Sequence, residues 1–211
     1  TTTMRVLLIV LGSLVLLACE GDSSPGNSAV DAPSELGEFA VGHSTFTAVD
    51  AARGDRSLLI DLWYPVDEED AADAAPRQYT LSGIPGPVSE VAFADPPVSS
   101  AKKHPLLVFS HGYGGISTQS IGLMEILASH GFIVASPEHT GNAQQSATDS
   151  FDEAAANRVP DVSFVVDTVL AAGQDPEAPF FGRVEEERIG VVGHSFGGMT
   201  AIGTTTGWAG A

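Results

Sequence analysis

The sequence predicts an α/β fold, a mostly parallel sheet with helices on both faces. Three observations carry that expectation. Residues 105–109, 132–135 and the run that opens at Arg188 are short, apolar and rich in β-branched or bulky residues, as strands buried on both faces must be. Stretches of helical period alternate with them, which gives the order strand, helix, strand, helix, strand. The last strand runs straight into Gly193-His194-Ser195-Phe196-Gly197. That spacing belongs to a serine held on a sharp strand-to-helix turn.

Composition sets limits on the rest. The 211 residues suffice for one domain with a real core. A 43% hydrophobic content and a mean hydropathy of +0.13 fit a globular chain with an apolar leader. The balance of 27 acidic against 9 basic residues, net −18, excludes a nucleic-acid partner, which needs a basic face.

At the amino terminus, Met4-Arg5 and the apolar residues 6–17 read as the n- and h-regions of a leader, over residues 1–18. Twelve residues are too few for a bilayer core that needs about 20. The segment ends Leu16-Leu17-Ala18-Cys19, which resembles a bacterial lipobox and makes Cys19 the lipidation site. The alternative is an ordinary leader with an incidental cysteine. With lipid on Cys19 the protein is exported to the bacterial cell envelope and meets the membrane through that anchor. Residues 19–40, rich in Gly, Ser, Pro and acids, read as a flexible tether. The folded domain then occupies residues 41–211.

Residues 44–50 alternate as a half-buried strand does, Arg53-Gly54-Asp55 turns the chain, and residues 58–64 form a second strand ending at Pro65. Together they predict an antiparallel pair at one edge of the sheet. Residues 67–103 show no sustained period and read as a long surface loop. After strand 105–109 comes His111-Gly112-Tyr113-Gly114-Gly115, a glycine-rich turn whose backbone N–H groups can face a site. No Gly-Lys-Ser/Thr follows Gly114-Gly115, which excludes a phosphate loop. The Tyr113 N–H is assigned as one oxyanion-hole donor and the Phe196 N–H as the other. His111 reads as a brace for the loop rather than a base.

A helix is expected over residues 117–130, with Gly131 just past its end. Strand 132–135 leads to Glu138 and His139 at the carboxyl edge of the sheet, where they serve loop hydrogen bonding. Val162, Val165, Val166, Val169 and Leu170 mark a helix over 161–172, with Asp161 expected to pair with Arg158. Residues 176–187 read as a connecting loop.

A serine hydroxyl becomes a nucleophile only when a histidine takes its proton and an acid orients that histidine. In elbow architectures both partners follow the serine. After Ser195 this sequence has no Asp, Glu or His, and all six histidines precede it. The chain therefore reads as ending before its acid and base.

Across residues 41–199 the chain resembles the α/β-hydrolase superfamily, and within it the bacterial predicted dienelactone hydrolases and platelet-activating-factor acetylhydrolase-like esterases. The resemblance rests on Asp61-Leu62-Trp63-Tyr64-Pro65, the His111–Gly115 loop, Ala128-Ser129-His130-Gly131-Phe132, Pro137-Glu138-His139, Asp161-Val162-Ser163-Phe164-Val165 and the elbow itself. It implies an α/β-hydrolase fold, here its N-terminal portion, and metal-free, cofactor-free hydrolysis of a small-molecule ester or lipid. Ser195 would be the acylated nucleophile. Dienelactone hydrolases proper use cysteine there, so the resemblance points to an esterase. The competing reading is a non-catalytic, lipid-anchored surface module built on a partial hydrolase fold.

Overall fold

The computed structural model describes residues 5–11 and 35–207. Among these, eight strands form one sheet: β1 (Arg5–Leu11), β2 (Ala40–Asp50), β3 (Arg56–Val66), β4 (Pro76–Leu81), β5 (Ile84–Ala94), β6 (His104–Ser110), β7 (Ile133–Pro137) and β8 (Val184–His194). Their spatial order is β1-β8-β6-β7-β3-β2-β5-β4. The helices are α1 (Glu68–Ala72), α2 (Ile121–Ser129), α3 (Phe151–Gln174) and α4 (Phe196–Thr206). The three predicted buried strands, β6, β7 and β8, lie side by side and parallel. Their carboxyl ends therefore share one edge, where ligands bind in open α/β sheets.

Alternation along each strand divides the core in two. Leu106 and Val108 of β6 join Ile133, Ala135, Val191 and the α3 stripe Val162, Val165 and Val169 on one face. Leu107 and Phe109 join Val134, Val192, Trp63 and the α2 residues Met124 and Ala128 on the other. The period of two sorts the side chains between faces, and the helices close both.

Several boundaries differ from expectation. The antiparallel β2–β3 pair is not an edge: β3 pairs with β7, and β2 with β5. Residues 67–103 are not one loop, since they hold α1 and the β4–β5 hairpin that forms the true edge. Polar residues, Pro85 and Pro87 hide these strands, because an edge strand exposes one row of backbone groups and tolerates proline. Helix α3 begins three turns before residue 161, where Ser150 Oγ accepts the Glu153 N–H and Glu153 answers with the Ser150 N–H. That capping box satisfies two donors at once, and the helix runs through Pro160. Strand β8 starts within the stretch read as a connecting loop.

At the amino terminus, residues 5–11 of the expected leader pair in parallel with β8. Cys19 and most of the tether lie outside the described residues. The end of the tether is docked: the Gly37 N–H donates to Ser129 Oγ at 2.8 Å and the Phe39 N–H to the Ser129 carbonyl at 3.0 Å.

Candidate active site

Strand β8 ends at His194, and the next residue turns hard. Ser195 has φ 53° and ψ −117°, a backbone region that costs a non-glycine residue about 1–3 kcal/mol. Close packing holds it there. A Cβ at Gly193 would collide with the Gly197 carbonyl, and one at Gly197 with the Ser110 carbonyl. Both flanking glycines are therefore required by contact. Ser195 is exposed at the sheet edge. Its carbonyl accepts the Gly198 N–H at 2.9 Å, which leaves the Phe196 and Gly197 N–H groups ahead of the first intrahelical bond.

Beside the elbow, the loop after β6 is fastened by Gln119. Its Oε1 accepts the Gly112 N–H and its Nε2 donates to His194 Nδ1, each at 2.8 Å. Tyr113, half exposed, stacks on Phe151 at 6.0 Å and 24°, and meets Phe196 edge-on at 5.7 Å. These three rings form an apolar lip next to Ser195.

Beneath the lip lies a buried polar chain. Ser110 Oγ donates to His139 Nε2 at 2.9 Å, and His139 Nδ1 donates to Asp161 Oδ2 at 3.0 Å. All three residues are fully buried. Burial pushes the His139 imidazole down to about 4, against the opposing pull of its hydrogen bond to Asp161. Burial alone would raise the Asp161 carboxyl, but hydrogen bonds from Arg56 and His139 outweigh it and hold the group well below the usual range. His111 braces this assembly as expected: its Nε2 accepts the His139 N–H at 3.1 Å, and burial, with His139 and Arg158 nearby, keeps it neutral.

Arg158 does not pair with Asp161. Its guanidinium reaches the Ser110 hydroxyl, the His111 and Gly112 carbonyls and Asn142 Oδ1, while Arg53 and Arg56 hold Asp161. Glu138 is partly buried; its N–H donates to the Leu59 carbonyl at 2.8 Å, and burial beside Asp61 raises its carboxyl. The structure thus brings together Ser195, Phe196 and the loop carrying Tyr113. Among the described residues no histidine is hydrogen-bonded to Ser195.

Sequence reasoning missed Gln119 and gave Arg158 the wrong partner. Gln119 left no signal beyond its place behind the glycines. Arg158 did: it sits on the α3 stripe four residues before Val162, and a charge on a buried stripe needs a partner.

Known proteins share the fold that carries this site. The family described as Platelet-activating factor acetylhydrolase, isoform II, matches residues 80–175. The platelet-activating factor acetylhydrolase of Cavia porcellus is 25% identical, aligning 82% of this chain with 51% of that protein. The Canis lupus familiaris protein of the same name is also 25% identical, over 70% of this chain and 46% of its own. The ferulic acid esterase from Streptomyces cinnamoneus has a similar structure, with a TM-score of 0.60 and 28% identity over 84% of this chain and 58% of that one. The chain has an α/β-hydrolase fold, similar to that of an esterase. The chain spans about half the length of the curated relatives it matches. The matched family segment ends before Ser195, so the elbow and its neighbours stand on their own geometry.

Proposed function

We propose that the protein hydrolyses small carboxylic esters through an acyl-enzyme on Ser195. The observation that carries this reading is an exposed serine in a strained conformation, enforced by two glycines that cannot accept a side chain. Ser195 Oγ attacks the ester carbonyl carbon as its proton passes to a base. The carbonyl oxygen becomes an oxyanion, which the Tyr113 and Phe196 N–H groups receive. Collapse expels the alcohol, which takes up the proton, and water then releases the acid from Ser195. The acid and base are assigned to no described residue. The lip of Tyr113, Phe151 and Phe196 offers apolar and aromatic contact to the acyl or alcohol group. The names of the similar proteins, acetylhydrolase and ferulic acid esterase, support ester hydrolysis.

In the protein expressed from its gene, Ser195→Ala is expected to lower p-nitrophenyl acetate turnover by about 10⁴–10⁶, the scale for losing a nucleophile. Turnover within tenfold of the parent refutes the reading. We further propose export and lipid anchoring through Cys19, on the strength of the Leu16-Leu17-Ala18-Cys19 signal. Cys19→Ser then moves the protein from the membrane fraction to the soluble one; retention in the membrane fraction refutes the anchor.

A further inference from the structure

Buried charges are costly, and Arg158 is only 1% exposed. Where it spends its donors is therefore informative. Its Nη2 lies 2.9 Å from the Gly112 carbonyl oxygen, and its Nη1 donates to the His111 carbonyl. The Gly112 carbonyl also accepts from His111 Nδ1 at 2.7 Å and from the Gly115 N–H at 3.0 Å. Three donors thus converge on one oxygen, which has two lone pairs. Asn142 Oδ1 fixes the guanidinium from behind, at 2.9 Å from Nε and 2.7 Å from Nη2.

The peptide unit that ends in the Gly112 carbonyl is the one that begins with the Tyr113 N–H. No cis peptide bond occurs among the described residues, so this unit is planar and trans, and its N–H points opposite to its C=O. Holding the carbonyl down towards the buried guanidinium turns the Tyr113 N–H up and away from the core. The cation also polarises the peptide and makes its N–H a stronger donor. On its other side the guanidinium carbon stands 4.9 Å from the centre of the Phe196 ring, a cation–π distance. Phe196 supplies the second proposed N–H. One side chain therefore touches both halves of the oxyanion hole without touching substrate.

We propose that Arg158 is the positioning residue of the oxyanion hole, aiming the Tyr113 N–H through the Gly112 carbonyl and seating Phe196 through its ring. This rests on the reading of Ser195 as nucleophile with Tyr113 and Phe196 as donors. The cluster of Ser110, His139 and Asp161 is the platform on which Arg158 stands, since Arg158 Nη1 also lies 3.2 Å from Ser110 Oγ.

The experiment uses the protein expressed from its gene, with Ser195→Ala, Arg158→Met and Arg158→Lys compared on p-nitrophenyl acetate. Circular dichroism selects a temperature at which each is folded. Losing one oxyanion donor typically costs about 10²–10³ in rate, so Arg158→Met is expected to lower kcat by that factor. KM should stay within about threefold, because the donors act on the transition state. Binding of a trifluoromethyl ketone, which adds Ser195 Oγ to its carbonyl and forms the oxyanion, should weaken in parallel with kcat. Binding of a non-reacting ester analogue should not change. Arg158→Lys keeps the charge but not the fork, and should recover part of kcat. A merely structural Arg158 would lower the unfolding temperature and leave kcat per folded molecule and ketone affinity alone, which overturns the proposal. Should Arg158→Met fail to fold, Arg158→Lys decides: kcat at least tenfold down at constant KM supports the proposal, and unchanged kcat overturns it. Ser195→Ala separates the two readings. Retained turnover there refutes the nucleophile itself, whereas lost turnover with unimpaired Arg158 variants refutes the positioning role alone.

Discussion

Two serines near the carboxyl edge of the sheet invite comparison. Ser110 donates to a histidine whose other nitrogen donates to an aspartate, the hydrogen-bond order of a catalytic triad. Ser195 has no histidine bonded to it among the described residues. By connectivity alone Ser110 is the better candidate, yet access and charge favour Ser195, the proposed nucleophile. Ser110, His139 and Asp161 are sealed from solvent, so no ester carbonyl can reach the hydroxyl. Burial also keeps His139 from accepting a proton, which a base must do while the serine attacks. Ser195 stands exposed on a strained turn at the start of α4, with the Phe196 and Gly197 N–H groups beside it. A nucleophile is defined by access and by where charge can go. A chain of hydrogen bonds that is complete and buried, with its histidine held neutral, is a brace.

The largest expected effect separates the two serines outright. A fluorophosphonate that phosphonylates activated serines should label the protein expressed from its gene at one site, with mass spectrometry locating the adduct on Ser195. Ser195→Ala should abolish labelling, whereas Ser110→Ala, folded and assayed under the same conditions, should retain it. Label on Ser110 would reverse the comparison and make the buried cluster the working site.

The elbow was legible in the sequence because its spacing is local. Gly193 and Gly197 lie two residues from the serine they confine, so the spacing shows in the sequence even though the collision at Gly197 is with Ser110, distant in the chain. The brace was not legible, because its bonds span long separations. Asp161 meets Arg56 across 105 residues, and Arg158 meets the Gly112 carbonyl across 46. The spacing of Arg158 and Asp161 suggested a local pair, but on α3 each turned to a different partner. The β4–β5 hairpin escaped for another reason. Its strands sit at the sheet edge, half exposed, with Ile84 and Val88 pointing to solvent, so neither a buried run nor clean alternation marks them.

The next effect tests whether the buried cluster is indeed structural. Asp161 compensates Arg56 and Arg53 and accepts from His139. Removing one member of a buried ion pair leaves an uncompensated charge and typically costs about 3–5 kcal/mol. Asp161→Asn should therefore lower the urea midpoint sharply with little change in its slope. The rate of Ser195 labelling per folded molecule should fall far less than in Ser195→Ala. Unchanged stability would mean that the arginines find water or other acceptors, and that the cluster does not carry the loop.

The smallest effect uses pH. His139 is held down to about 4 in the folded protein, while an unfolded histidine titrates near about 6.5. Between those values the unfolded chain binds a proton that the folded one refuses. The unfolded state then holds more protons, so stability falls as pH falls through that window. Above about 6.5 both states are neutral at this residue, and its contribution is fully present. A displacement of about 2.5 pH units corresponds to about 3 kcal/mol. Burial also lowers His43, His104 and His111, so the whole protein should lose more than one histidine's share. The discriminating measurement is thus a difference: unfolding free energy against pH for the parent and for His139→Gln. Glutamine cannot titrate, and its carboxamide can accept from Ser110 or donate to Asp161 but is too short to span both as the imidazole does. The variant should be less stable at pH 7, and its curve should approach the parent's towards pH 4. Parallel curves would assign the acid sensitivity to the other buried histidines, and leave His139 a spacer whose protonation state the fold does not control.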